Sequence, residues 1–267
     1  MRLRLEMPKQ SPKMEQIFGA MEQGWTQAYI NDALYDARVL WGLIGNNARY
    51  MMDPREKFYF CDMPYHGRLD TSKTVTQADY DKSYWRFCKQ GFHDNRELNV
   101  PSDRFESWNV KPLPYENGDH ILLCPSSETL TQFIHGMSVD QWITQVTQHL
   151  KAKTNRLILV RRKPRGKGTS GPSVATHPIE DDLKHAHSVV VSASLSAIDA
   201  LKLGKPVYST SPEHCPAAWC STNFLNWHEK TPFKDRETLF NNLGFKQFSI
   251  EEFRNGTAYD LWNEYLR

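Results

Sequence analysis

Short apolar runs that alternate with helical segments fill residues 120–208 and constrain the fold more than any other feature. The four runs are His120–Cys124, Arg156–Val160, Ser188–Val191 and Pro206–Tyr208. Helices of about ten residues are expected between them, and the one that follows Ser138 opens on a capping box formed with Gln141. Strands that alternate with helices favour a parallel, doubly wound sheet with right-handed crossovers. We therefore predict an α/β fold with a Rossmann-like lobe in residues 116–244.

The first half of the chain, residues 1–115, is predicted to form a second Rossmann-like lobe. Val39–Ile44 and Lys57–Cys61 are apolar runs closed by turn residues, which is typical of buried strands. A short helix over 47–54 would complete a βαβ unit. Residues 108–118 carry two prolines and end in Asn-Gly, which favours extended backbone and marks an interdomain linker. The two lobes are expected to face a cleft.

Composition and missing motifs exclude several classes of protein. The net charge is only +2 and aromatic residues make up 12% of the chain, which argues against disorder. No apolar run approaches the roughly 20 residues of a membrane span, and the N-terminus lacks the apolar core of a signal peptide. Five scattered cysteines favour reduced thiols and a cytoplasmic location. No Gly-x-Gly-x-x-Gly joins the end of a predicted strand directly to a helix, because the one match, Gly166–Gly171, lies inside the basic loop, and the chain has no P-loop or Gly-x-Ser-x-Gly motif. NAD, kinase and acyl-transfer chemistry are therefore not expected.

A serine-rich turn, Ser192–Ser196, links a predicted strand to the next helix. Backbone amides at a helix start and the hydroxyls of Ser194 and Ser196 would hold a phosphate group without glycines. Asp199 lies one turn further and would reach a sugar hydroxyl. The alternative is an ordinary helix cap, in which Ser196 and Asp199 form a capping box.

Basic residues follow another predicted strand at the same edge of the sheet. Residues 151–179 hold eight Lys and Arg and no acidic residue. Arg162 and Lys163 would hold a diphosphate there, since ligands of open α/β sheets bind beyond the carboxyl ends of the strands. Ser126 and Ser127, after the first strand of this lobe, would line the same edge. The alternative is a solvated basic loop, which is what most charge runs are.

In the first lobe, Asp62–Arg68 follows a strand end and collects several reactive side chains. Asp62 or His66 would act as general base toward an acceptor hydroxyl, and Tyr65 and Arg68 would bind the acceptor or its phosphate. Asn46 would lie beside this loop. The alternative is a polar turn in which Asp62 caps and Tyr65 packs. Residues 84–93 mix rings with cations, as nucleic-acid surfaces do, although core packing would explain them equally well.

No metal site is expected. His214, Cys215, Cys220 and His228 are residue types that bind zinc, but their spacing matches no standard zinc site.

The second half of the chain resembles the donor lobe of GT-B glycosyltransferases, such as capsule-polysaccharide and sialyl transferases. The resemblance rests on Asp182-Leu183, Ala186–Val191, Ser194 and Asp199–Val207. The resemblance covers about residues 119–210. It implies a GT-B-like fold, a nucleotide-sugar donor bound by 116–244, and a C-terminal helix in 245–267 that packs back on the acceptor-side lobe 1–115. Lys163-Pro164 stands where many members have His-Pro, and Ala193 interrupts what is often a Ser-Ser pair.

Further segments resemble a phage-encoded, glycosyltransferase-like family: Trp41–Asn47, Asp62–Arg68, Pro101–Arg104, Gln247–Ser249 and Gly256–Ala258. This resemblance implies transfer of glucose or arabinose from a nucleotide sugar, such as a UDP-sugar, to the hydroxymethyl group of a pyrimidine in phage DNA. It implies no metal, no other cofactor and no membrane partner, and a location in the host cytoplasm. The acceptor base would be flipped out of the DNA stack.

Other functions stay open at this point. The same scaffold would serve a transferase acting on a surface glycan or a sugar-nucleotide epimerase. A third possibility is a DNA-binding module that kept the fold without catalysis.

Overall fold

The computed structural model describes residues 1–6, 12–26, 29–30, 34–69, 74–162, 177–229 and 234–267. The chain divides into two compact units. Unit 1 comprises Met1–Asn109 and Phe240–Arg267, and unit 2 comprises Val110–Leu239. Within the described ranges, no helix has both the length and the apolar character needed to cross a membrane.

Unit 1 contains a six-stranded sheet with helices packed against it. Its elements in chain order are β1 (Arg2–Glu6), α1 (Pro12–Gly24), β2 (Tyr29–Ile30), β3 (Ala37–Trp41), α2 (Asn47–Met52), β4 (Phe58–Asp62), α3 (Gln77–Lys82), β5 (Tyr84–Lys89), α4 (Asp103–Glu106) and, from the C-terminal segment, β11 (Gln247–Ser249), α10 (Ile250–Asn255), α11 (Thr257–Leu261) and a π-helical turn (Trp262–Leu266). The strand order is β11-β5-β4-β3-β1-β2. Strands β1 to β4 are parallel, and β5 is antiparallel to both of its neighbours.

The C-terminal segment completes the core of unit 1. Trp262 is fully buried and stacks at 5.3 Å from Trp25, just after α1. Helices α1 and α10 approach so closely that a Cβ on Gly24 would lie 2.0 Å from the carbonyl oxygen of Phe253. Helix α10 begins with a capping box formed by Ser249 and Glu252.

Unit 2 contains a five-stranded, fully parallel sheet. Its elements are β6 (His120–Cys124), α5 (Glu128–His135), α6 (Val139–Lys151), β7 (Leu157–Val160), α7 (Ile179–Lys184), β8 (Ala186–Val191), α8 (Ser196–Lys202), β9 (Val207–Ser209), a 3-10 turn (Pro212–His214) and β10 (Ser221–Asn223), while α9 (Glu237–Phe245) leads into the last part of unit 1. The strand order is β10-β9-β8-β6-β7. The alternation of strands and helices predicted for residues 120–208 is confirmed.

Opposite faces of the unit 2 sheet carry different helices. Ile121 and Leu123 of β6 pack with Trp142 and Val146 of α6, whose capping box of Ser138 and Gln141 is also confirmed. Cys124 points to the other face, where it contacts Ser196 at the start of α8. Helices on both faces of a parallel sheet are the doubly wound arrangement expected from the sequence.

The segment 110–118 has no regular secondary structure and packs against unit 2. Leu113 N–H donates to the carbonyl oxygen of Lys202 at 2.8 Å. Gly204 has a φ of +69°, and a Cβ there would lie 2.0 Å from the Pro114 carbonyl oxygen. The segment is therefore held along its length rather than being a free tether.

Candidate functional site

The order of strands in unit 2 defines where a ligand fits. From β6 the chain moves to β7 on one side and then returns to β8 on the other side. Neighbouring strands whose connections lead in opposite directions leave a crevice at their carboxyl ends, and ligands of open α/β sheets bind there. This switch point lies between β6, followed by Ser126, and β8, followed by Ser192.

The two loops at the switch point are tied together. Ser126 is buried, and its Oγ accepts a hydrogen bond of 3.1 Å from the Ala193 backbone N–H. Because a buried N–H without a partner costs about 1–3 kcal/mol, this hydroxyl fixes the β8 loop relative to the β6 loop. The sequence placed Ser126 at this edge as a donor-phosphate ligand, and the structure gives it a role in shaping the loop.

The serine turn leaves backbone donors open. Ser194 Oγ lies 3.0 Å from Ser196 Oγ. The N–H groups of Ser194 and Leu195 donate to no group among the residues that the structure describes, and both residues are partly exposed. Leu195 occupies the N-cap position of α8 without a side-chain cap, so the alternative capping box of Ser196 with Asp199 is wrong. Helix α8 has only seven residues, so local N–H groups matter more here than a helix dipole.

Ser127 and Arg162, two further residues predicted for the donor site, follow β6 and β7 at the same edge of the sheet. Ser127 caps α5 by accepting from Leu130 N–H at 3.4 Å. Arg162 forms an ion pair with Asp140, whose side chain is 77% exposed. Such an exposed pair contributes little to stability, so an anionic ligand would replace Asp140 at small cost. Lys163 lies outside the described residues.

Two further carboxylates lie near this edge. Asp199, predicted for the sugar or ribose, has a side chain that is 34% exposed and lies 3.9 Å from the Lys202 ammonium. Asp182 holds the largely buried Arg161. Burial acts to raise the pKa of Asp182, but hydrogen bonds from His177 and Arg161 bring that pKa below its usual value. Arg161 is therefore occupied within the protein, whereas Arg162 is exposed enough to meet a ligand.

In unit 1, Asp62 ends β4 and is the partly exposed carboxylate of the predicted acceptor loop. Its Oδ2 accepts from Arg86 Nη2 at 3.1 Å, and its Oδ1 accepts from Met63 N–H at 2.7 Å. Asp62 and Arg86 face each other directly in the β4–β5 register. Arg86 is buried, and its Nε has no hydrogen-bond partner among the described residues. A cation fixed behind a partly exposed carboxylate orients it toward solvent, which suits a general base.

Tyr65 and His66 differ sharply in accessibility. Tyr65 is buried, its hydroxyl lies 3.3 Å from Cys88 Sγ and 3.2 Å from His93 Nδ1, and burial raises the pKa of its phenol. The environment of Tyr65 therefore favours the alternative in which it packs, rather than a role in binding the acceptor. His66 is partly exposed and stacks on Trp108 at 4.8 Å.

A buried glutamine braces the same loop. Gln247 Oε1 accepts from the backbone N–H groups of Tyr65 and His66 at 2.8 and 3.0 Å, and its Nε2 donates to the His66 carbonyl oxygen at 3.1 Å. Gln247 belongs to β11 and lies more than 180 positions along the chain from the loop it holds. The loop geometry therefore depends on the C-terminal segment.

The other two residues predicted to bind the acceptor are exposed. Asn46 precedes α2 without capping it through its side chain. Its neighbour Asn47 is buried instead and donates to the carbonyl oxygens of Trp41 and Gly42 at 3.0 Å each. Arg68 is exposed on the loop that starts at Asp62. Asn46 follows β3 and Asp62 follows the adjacent parallel β4, so both lie at one edge of the sheet.

The possible nucleic-acid surface at residues 84–93 is a buried strand. Trp85, Phe87 and Phe92 are at most 2% exposed, and β5 lies between β4 and β11. The idea that these rings stack on a nucleic-acid strand is therefore wrong. The cation of this segment, Arg86, is paired within the core.

Among the described residues, no three His, Cys, Asp or Glu side chains converge in a way that would hold a metal ion. Cys215 and Cys220 are buried thiols, and burial raises the pKa of Cys220 to about 12. Thiols buried in this way are poor nucleophiles.

Sequence reasoning assigned no role in these sites to four residues that the structure places there. Arg86 and Gln247 support the acceptor loop, whereas His135 and Ser192 contact each other at the switch point with 2.8 Å between Nε2 and Oγ. Their partners are distant in sequence, so only the topology brings them together. The one available signal was the position of Ser192 directly after a strand at the switch point.

Comparison with solved structures identifies the class of fold. The chain is similar to KpsC of Thermosulfurimonas dismutans, described as a β-Kdo 2,4 transferase, with 11% identity, a TM-score of 0.51, and coverage of 93% of this chain and 92% of that one. A structure described as the β-Kdo 2,7 transferase of the same KpsC covers 98% and 99% at 12% identity with a TM-score of 0.49. No protein-family model matches the sequence, and a search of curated proteins returns no match. The chain thus has the two-sheet α/β fold of these glycosyltransferases, which is GT-B-like as the sequence led us to expect.

Proposed function

We propose that this protein is a nucleotide-sugar-dependent glycosyltransferase whose donor binds to unit 2. The observation that carries the proposal is the switch point between β6 and β8, where two serine loops are joined by the Ser126–Ala193 hydrogen bond. Likeness in fold to a solved transferase supports this class, and fold alone does not establish activity.

The hydrogen-bond donors at the switch point suit the diphosphate of a nucleotide sugar. The open N–H groups of Ser194 and Leu195 and the hydroxyls of Ser194 and Ser196 are donors of the kind that bind phosphate oxygens. Arg162 would neutralise charge on the leaving diphosphate after it exchanges Asp140 for the ligand. Asp199 would accept hydrogen bonds from the sugar or ribose hydroxyls. In this proposal no metal ion is needed, and a UDP-sugar is the first donor to test.

Unit 1 would supply the base for the acceptor. Asp62, oriented by Arg86 and Met63 N–H, would remove the proton from the attacking hydroxyl. His66 is the alternative base, since its imidazole is partly exposed beside the same loop. The exposed Asn46 and Arg68 would contact the acceptor.

The finer proposal concerns the acceptor. The resemblance of unit 1 segments to the phage-encoded family supports a hydroxymethyl group on a pyrimidine in DNA, with glucose or arabinose as the sugar. Burial of the β5 rings means that a DNA strand would be held by exposed groups such as Arg68, without stacking on that strand of the sheet. A glycan hydroxyl is the competing acceptor, and a Kdo donor enters the panel because the similar solved structure is described as a Kdo transferase.

The test begins with donor binding. Thermal unfolding of the full chain is followed with UDP, CDP, CMP, UDP-glucose, UDP-arabinose and CMP-Kdo, because a ligand selective for the folded state raises Tm. Ser126→Ala should reduce the Tm rise caused by the active nucleotide. Ser138→Ala is the matched control, since its hydroxyl also accepts one backbone N–H, from Gln141 at 3.2 Å, but at the start of α6. The control should unfold earlier yet keep the full rise.

Sugar transfer is then measured with radiolabelled donors onto hydroxymethylated DNA, unmodified DNA and oligosaccharides. Incorporation into hydroxymethylated DNA alone supports the DNA acceptor, and incorporation into oligosaccharides alone replaces it with a glycan. A change of the donor sugar without transfer identifies an epimerase. If no nucleotide changes Tm and no label is transferred, the proposed function is refuted.

A further inference from the structure

Helix α5 lies across the carboxyl edge of the unit 2 sheet. It begins directly after Ser127, at the end of β6, and it ends at His135, whose Nε2 is 2.8 Å from Ser192 Oγ at the end of β8. Both ends of one helix therefore contact the two loops that define the switch point. The imidazole of His135 lies on the loop that precedes Ser194.

Ser192 is held on both its side chain and its backbone. It is 1% exposed, and its carbonyl oxygen accepts from Ser209 Oγ at 3.0 Å. The next residue, Ala193, is fixed by Ser126. The backbone that leads to the N–H groups of Ser194 and Leu195 is therefore braced at Ser192 and Ala193 by three hydrogen bonds, one of them to His135.

Two titratable groups face His135 from the 3-10 turn after β9, namely Glu213 and His214. Burial lowers the pKa of His135, Glu213 acts to raise it and His214 lowers it. Burial also lowers the pKa of His214. Burial acts to raise the pKa of Glu213, but the hydrogen bond from Ser211 Oγ, 2.7 Å, and the two imidazoles bring it below its usual value. At neutral pH the unliganded cluster thus holds a neutral His135 beside an ionised Glu213.

The same face of α5 also carries a buried hydroxyl. Thr131 is 1% exposed, and its Oγ1 has no hydrogen-bond partner among the described residues. It precedes His135 by four positions, so both side chains lie on one face of the helix. Buried hydroxyls without a partner are rare in folded proteins.

We infer that His135 is a positioning residue that couples donor binding to proton uptake: it is neutral in the free protein and becomes an imidazolium, donating to Ser192 Oγ, when the phosphates of a nucleotide sugar bind at the β8 loop. This inference rests on the proposed function of the switch point. The proton comes from solvent, and no covalent bond forms or breaks in the step. Ser192, held in this way, would keep the N–H groups of the turn directed at the phosphates.

The direction of the pH dependence follows from charge. A phosphate near an imidazole favours its charged form, and opposite charges at contact shift a pKa by about 1–3 units. At a pH between the pKa of His135 in the free protein and its higher pKa in the complex, binding of the nucleotide sugar takes up a proton. Affinity therefore falls as pH rises through the pKa of His135 in the complex, by at most about tenfold for each unit by which binding raises that pKa.

The test is calorimetric titration of the full chain with UDP-glucose and with CMP-Kdo, whose phosphates do not titrate in this range. Titrations at pH 6 and 8.5, and at pH 7 in two buffers with different ionisation enthalpies, give the affinity and the protons taken up. The variants are His135→Gln and His214→Gln. The control is His149→Gln near the end of α6, where burial also lowers the histidine pKa but no switch-point residue is in contact.

His135→Gln should abolish proton uptake and flatten the pH dependence, while its affinity at pH 8.5 stays within about threefold of wild type because both side chains are then neutral. A merely structural role would weaken binding equally at every pH and leave proton uptake unchanged, which would overturn the inference. The inference would also be overturned if proton uptake on binding were lost in His214→Gln but not in His135→Gln. Absence of binding at every pH would refute the proposed function, and this inference with it.

Discussion

Replacing Gln247 by leucine should release the acceptor loop of unit 1 while leaving unit 2 intact. Gln247 is fully buried and makes three hydrogen bonds to the backbone of Tyr65 and His66. Leucine has a similar volume but can make none of them, so two N–H groups and one carbonyl lose their partner. At about 1 kcal/mol for each bond, the loop is destabilised by about 3 kcal/mol.

Hydrogen exchange measures this change directly, because the loop opens locally when its brace is lost. Exchange of the peptide that contains Tyr65 and His66 should accelerate by about 100-fold, the factor that corresponds to about 3 kcal/mol. The Tm of unit 1 should fall by about 6–12 °C. Peptides from β6 and β8 should exchange at the wild-type rate. Sugar transfer should decrease while the binding of the donor nucleotide is retained.

The matched control is Gln77→Leu. Gln77 is exposed, and its hydrogen bonds to Gln16 and Asp81 lie at the surface. Its loss should change the free energy of unfolding by less than about 0.5 kcal/mol. If exchange of the Tyr65–His66 peptide in Gln247→Leu stays within about threefold of wild type, the glutamine does not hold the loop and the reasoning is refuted.

Three further predictions concern single groups. Asp62→Asn should lower transfer by about 10²- to 10⁴-fold with unchanged donor binding, whereas Asp53→Asn, whose partly exposed carboxylate pairs with Arg55, should not. Equal rates for Asp62→Asn and wild type would exclude the base role. Ser126→Ala should cost about 1–3 kcal/mol in urea unfolding, because Ala193 N–H is left without its partner. Burial lowers the pKa of Lys246 to about 8, so the unfolded chain binds one more proton than the folded chain between pH 8 and 10.5. Stability relative to Lys246→Met should therefore rise by about 2 kcal/mol from pH 8 to 9.5, and a constant difference would contradict this.

Local patterns were sufficient for most of unit 2. Each of its first four strands is a short apolar run with turn residues after it, and the capping box at Ser138 marks the start of α6 correctly. These features depend on neighbours within a few positions, so they are readable from the chain alone. The strand β10, of only three residues and without an apolar pattern, was not predicted.

Unit 1 was harder to predict because its sheet uses distant segments. Strand β5 has apolar residues on one face, but Arg86 on the other face suggested a surface. The arginine is buried because Asp62, 24 positions earlier, lies opposite it in an adjacent strand. The pairing of β5 with β11 at the C-terminal end also has no local signal. Charge patterns indicate exposure only when no partner is brought up by the fold.

In the candidate sites, too, residues with a local sequence signal were easier to predict than residues whose partners are distant in the chain. Residues placed by the end of a strand, such as Ser126, Ser194 and Asp62, were identifiable, because parallel topology brings all such ends to one edge. Residues that position them, such as Gln247, act across the chain, and their chemistry is ordinary until the fold supplies the partner. Sequence reasoning thus finds the groups that would meet a ligand more readily than the groups that hold them in place.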